Sequence, residues 1–92
     1  MSLTKFKTVS GREVELDTSE KACSKFQIPD KNQRMAPAKY GMKVIHPCEV
    51  GEGIILGVGP ISDGSPNLVL WAKFEQDEGR VCYSDPIWFV RA

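Results

Sequence analysis

The chain of 92 residues has no apolar run near the eighteen or so needed to cross a bilayer, and its N-terminus has no apolar leader. A cytoplasmic or nuclear protein is therefore expected, with no membrane partner. Cysteine is scarce: Cys23, Cys48 and Cys82 are odd in number and widely spaced. That pattern fits reduced thiols better than a disulfide framework of the secreted type. Histidine is scarcer still, His46 being the single one. Net charge is also lacking, because twelve basic residues balance twelve acidic ones. A surface that grips a phosphate backbone normally concentrates Lys and Arg, and the half with the clearest fold signal, residues 41–92, does the opposite, which disfavours nucleic acid.

Hydrophobic residues at 41% and charged residues at 26% lie in the ordinary globular range, so one small folded domain is expected. The charges are unevenly placed. Residues 1–40 hold eight Lys/Arg against five Asp/Glu, a net of +3, and residues 41–92 hold four against seven, a net of −3. A strand read close to the last residue, with a Met-Ser-Leu start, fits either a domain of a longer chain or a complete small protein with a tight C-terminus.

Lys5 to Val9 and Arg12 to Leu16 alternate in polarity around Ser10-Gly11, which predicts a β-hairpin. Asp17 and Glu20, three apart, read as a helix start of the capping-box type, and Ala22 with Phe26 gives a narrow apolar face. A short helix over Thr18 to Lys25 is expected. From Gln27 to Lys39 the chain is polar, with Pro29 and Pro37, and reads as a linker or clamp.

Beyond Gly41 come five short β-rich runs: Val44 and Ile45, Ile54 to Val58, Leu68 to Phe74, Val81 to Tyr83, and Ile87 to Val90. Gly, Pro, Asn and Asp clusters separate them. Links this short join neighbouring antiparallel strands. The expected fold is mainly β: a five-stranded barrel over residues 41–92, preceded by a hairpin, short helix and linker over residues 1–40 packed on it.

The segments Gly41-Met42-Lys43-Val44, Gly51-Glu52-Gly53-Ile54-Ile55-Leu56-Gly57-Val58 and Leu70-Trp71-Ala72-Lys73-Phe74 resemble the opening strands of the SH3-like superfamily of small barrels. The likeness is to Tudor-like and related chromatin or ubiquitin-ligase modules, and it covers residues 41–92. It implies a ligand cage at loop-flanked aromatic positions.

Alternation places Leu70, Ala72 and Phe74 on one face of the third run and Val69, Trp71 and Lys73 on the other. Both faces carry apolar groups. The pocket reading draws Tyr40, Trp71, Tyr83 and Trp88 together with Glu75, Asp77, Glu78 or Asp85 at the rim. Aromatic faces beside carboxylates attract a cation such as an alkylated lysine or an arginine. The core reading weighs more, since tryptophans in so small a domain are usually needed inside.

Zinc ligation by Cys23, His46, Cys48 and Cys82 lacks the paired knuckles of structural sites, His46 and Cys48 being the one close pair. A Cys48 or Cys82 nucleophile with His46 as base lacks an activating environment. Gly51-Glu52-Gly53 and Gly57-Val58-Gly59 do not open a helix, so no phosphate loop is indicated. No metal, cofactor or catalytic group is assigned. The expected function is a monomeric, non-enzymatic module that binds a protein or peptide segment. The alternatives are a structural domain supporting a larger enzyme, and a nucleic-acid contact through Lys21, Lys25, Lys31, Arg34 and Lys39, which the overall charge pattern disfavours.

Overall fold

The computed structural model describes residues 3–61, 64–75, 79–84 and 88–92. Strands β1 (Leu3–Lys7) and β2 (Glu13–Asp17) form the expected hairpin, in register from Lys7 opposite Glu13 to Leu3 opposite Asp17. Thr8 closes its tip twice over: its N–H donates to Arg12 O at 2.7 Å and its Oγ1 accepts from Arg12 N at 3.1 Å.

Helix α1 (Glu20–Cys23) is one turn, shorter than the span expected from Thr18 to Lys25. Its N-cap is Ser19, whose Oγ accepts from Ala22 N at 3.2 Å. Asp17 is still part of β2, and its Oδ1 accepts from Ser19 N at 3.0 Å. The carboxylate thus bends the chain out of the strand, and the hydroxyl two residues later starts the helix.

The segment read as a linker contains a second hairpin, β3 (Gln27–Pro29) and β4 (Met35–Pro37). Asp30 builds its turn, with Oδ1 accepting from Asn32 N at 2.8 Å and Arg34 N at 2.9 Å. Ile28 and Ala38 are fully buried, and Ala38 N donates to Phe26 O at 2.8 Å. The segment is a clamp, tied down at its two ends.

The remaining strands are β5 (Lys43–Ile45), β6 (Gly53–Pro60), β7 (Leu68–Phe74), β8 (Val81–Ser84) and β9 (Val90–Arg91). The last is shorter than the Ile87 to Val90 run suggested: Trp88 and Phe89 precede it, and Ile87 lies outside the described residues. Strand β6 is the hub of a seven-stranded sheet. It pairs with β7 along its length, with β5 at Gly53 and Ile54, and with β2 where Asp17 meets Val58. Strands from before and after residue 40 therefore share one hydrogen-bonded sheet.

The β6–β7 register shifts between Ile55 and Gly57, leaving Leu56 as a bulge. The extra residue bends the strand, and so both Ile55 and Leu56 are buried. Gly57 is needed beside the bulge, because a Cβ there would lie 2.6 Å from Asp17 O. A side chain would force β2 away from β6.

Both faces of β7 are covered. Leu70, Ala72 and Phe74 pack with Cys23, Ile28, Val44, Ile55 and Phe89. Trp71 packs on the other side with Leu16, Leu56 and Val81, under Phe6 and Val14 of the first hairpin. The fold is mainly β, and among the described residues the sheet is not closed into a barrel. A single parallel bridge, Thr8 with Val81, spans from the end of β1 to β8, supported by Val9 N donating to Val81 O at 3.0 Å. The radius of gyration, 12.1 Å, matches the value of about 12 Å for a compact chain of this length.

Candidate interaction surface

Of the four aromatic residues proposed as a cage, the structure brings two into ring contact. Trp71 on β7 and Tyr83 on β8 are cross-strand partners whose ring centroids lie 4.9 Å apart at 59°. Trp71 is 2% exposed, so its ring supports Tyr83 from beneath and presents no face to a ligand. Burial against Leu16 of the first hairpin and Val81 of β8 is the reason. Its Nε1 has no hydrogen-bond partner among the described residues.

Tyr83, Trp88 and Tyr40 are 46%, 57% and 58% exposed. Tyr40 sits between β4 and β5, just before Gly41 at φ 86°, and Trp88 lies just before β9. Among the described residues, neither ring contacts another aromatic ring. Glu75 is exposed just beyond the end of β7. It lines a cleft of about 280 Å³ with Glu52, Lys43, Lys73 and Ile54. Asp77, Glu78 and Asp85 lie outside the described residues.

The thiols and the histidine are dispersed in role. Cys23 is in the main core, and burial pushes its thiol pKa up, which holds it neutral and unreactive. His46 accepts from Cys48 N through Nδ1 at 3.0 Å and meets the Phe89 ring edge-on at 5.6 Å. Cys82 Sγ donates to Glu49 Oε1 at 3.7 Å. Among the described residues, no three His, Cys, Asp or Glu side chains gather as a metal site. Lys21, Lys25, Lys31, Arg34 and Lys39 are all exposed, distributed over α1, the turn after it, the β3–β4 turn and the loop after β4.

Sequence reasoning missed an apolar groove of about 360 Å³ between α1, the start of β1, the end of β6 and the start of β7. Ala22 of α1 and Phe26, which lies between α1 and β3, form one wall, and Val58, Leu68 and Leu3 the strand side. Leu68 and Leu3 are 58% and 49% exposed. The Ala22–Phe26 pair was the available signal, but its opposing wall needs the β1–β2–β6 pairing, which the sequence does not display. The chain matches no protein-family model, and neither the curated proteins nor the solved structures contain a significant match to it.

Proposed function

We propose that this chain is a non-catalytic interaction module that binds a peptide segment of a partner protein, basic or alkylated on Lys or Arg, through an aromatic surface. Its aromatics are Tyr83, Trp88 and Tyr40, and Glu75 is an exposed carboxylate of the same domain. The observation that carries the reading is the exposure of Trp88, at 57%. A tryptophan this large is stabilised by burial, and leaving it in water is the pattern of a binding residue rather than a core residue. The scaffold reading that goes with it is an SH3-like barrel. Support comes from the bulged β6, the short antiparallel links and the isolated bridge from Thr8, just past β1, to Val81 of β8.

A second reading, a structural domain of a larger enzyme, draws on Trp71, whose ring is spent on the interior. Titration with short basic peptides, unmodified and lysine-methylated, at fixed salt and followed by tryptophan emission, separates the two. Saturable binding that is weakened at least tenfold by Trp88→Ala or Tyr83→Ala, in variants that keep the far-ultraviolet spectrum, supports the module. No response to any peptide leaves the structural reading.

A further inference from the structure

We propose that the first hairpin is a lid: β1 and β2 swing off Trp71 together while the rest of the fold stays intact, and Trp71 joins Tyr83 in the aromatic surface only in the open form. The hairpin is bonded to itself far better than to the body. Five residue pairs hold β1 to β2, whereas one pair, Asp17 with Val58, holds β2 to β6, and one bridge, Thr8 with Val81, holds the tip to β8. Burial is equally thin. Six of the ten strand residues are exposed, Phe6, Val14 and Asp17 are half-buried, and Leu16 alone is fully buried. At the tip only Thr8 is buried with it. Few buried side chains and few bonds to the body mark a segment that opens at lower cost than the core.

The surface beneath is shaped for release. Leu16 rests on glycine: a Cβ at Gly59 would lie 2.5 Å from Leu16 Cδ2, and one at Gly57 would lie 3.2 Å from Leu16 Cβ. At those two positions β6 sends up no side chain to interlock with the hairpin. Leu16 packs with Trp71, Leu56 and Val81, and Phe6 and Val14 pack against the same cluster. Trp71 is 2% exposed, yet its Nε1 has no acceptor among the described residues. A buried donor without a partner favours any form that supplies one, and lifting the lid gives it water or a peptide carbonyl. The same movement uncovers the ring that already lies 4.9 Å from Tyr83. The hinge is Thr18, between the last residue of β2 and the N-cap Ser19, while Cys23 keeps α1 in the main core. The part of the open form in binding rests on the aromatic-surface reading above; the movement itself does not.

Hydrogen exchange on isotopically labelled protein reads the movement. The Trp71 indole N–H and the Val9 N–H, which donates to Val81 O at 3.0 Å, should exchange about tenfold or more faster than the Ile55 N–H, which donates to Met42 O at 2.9 Å. Ile28→Val, a change in the main core away from the hairpin, should speed Ile55 exchange and leave the two lid protons unchanged. Either lid proton exchanging at the Ile55 rate, or accelerating with it in Ile28→Val, overturns the lid. Binding is read separately. Leu16→Ala, with Phe6→Ala as the milder variant, removes lid contacts and enlarges the open fraction, so each should tighten binding of a lysine-methylated basic peptide about threefold or more. Equal or weaker binding by the variants overturns the role of the open form. A peptide that binds neither the unaltered protein nor the variants would instead remove the aromatic-surface reading, and the exchange rates would still decide the lid.

Discussion

Trp71 and Tyr83 face one another across β7 and β8 with ring centroids 4.9 Å apart, one at 2% exposure and the other at 46%. The buried ring fixes the exposed one from below, an arrangement worth about 0.5–1.5 kcal/mol beyond area burial for a well-placed aromatic pair. Tyr83→Ala should therefore lower stability modestly while leaving the Trp71 environment intact. The two tryptophans are also separable optically. In Trp88→Phe the remaining emission should be blue-shifted and resistant to acrylamide, and in Trp71→Phe it should be red-shifted and readily quenched. Equal quenching in the two variants would contradict the burial of Trp71.

Arg91 joins the last strand to the β3–β4 clamp. Its Nε donates to Ile28 O at 3.2 Å, its Nη2 donates to Arg34 O and lies 3.5 Å from Asp30 Oδ2. Removing the guanidinium strands two carbonyls, so Arg91→Ala should destabilise the protein by about 1–3 kcal/mol. Arg91→Lys should recover less than half of that, because an ammonium lacks the forked donor geometry that meets two acceptors at once. Chemical denaturation of the three proteins reads the difference.

Asp17 and Asp30 both hold their carboxyl pKa below the unfolded value of 3.8. For Asp17 the causes are hydrogen bonds from the Ser19 side chain and then the Ser19 backbone; for Asp30 the backbone N–H of Arg34 comes first. A depressed carboxyl contributes stability that is fully present above the unfolded pKa and is lost as pH falls through the folded one. Stability should be level from neutrality to about pH 5 and then decline below 3.8, with a shallower acid limb in Asp17→Asn and Asp30→Asn. Urea midpoints across that range measure it. A decline beginning well above pH 5 would assign the acid response to other groups.

Gly57 and Gly11 make a contrast. A Cβ at Gly57 meets backbone at 2.6 Å, whereas Gly11 has open space but a left-handed φ of 92°. Gly57→Ala should cost about 1–3 kcal/mol through forced separation of β2 and β6. Gly11→Asn should cost only a few tenths, since asparagine tolerates that backbone region. Melting temperatures of the two variants order the effects.

Strand periodicity carried most of the fold. Leu70, Ala72 and Phe74 alternate with Trp71 as the two packed faces require, and the β7 limits match the Leu68 to Phe74 run. The β3–β4 hairpin was hidden because its strands are three residues each and both contain proline, a residue that removes a ladder donor. The helix start was misplaced because Asp17 satisfies a cap-like pattern while serving β2, and the choice between Asp17 and Ser19 depends on Asp17 pairing with Val58. Aromatic residues could be named from the sequence, but Trp71 could be separated from Trp88 only by knowing that Phe6, Val14 and Leu16 fold over one face. Such long-range pairings leave no local periodicity to read.

The attachment of Arg91 to Ile28 and Arg34 also has a meaning for how the chain is made. Synthesis runs from the N-terminus, so the β3–β4 hairpin emerges more than fifty residues ahead of the side chain that latches it. Until then Ile28 has no Phe89 to pack with, and Val44 has no Arg91 to pair with. The hairpin's own β3–β4 pairing is local, but its latch to the last strand forms only once the ribosome has delivered residue 91 through its exit tunnel.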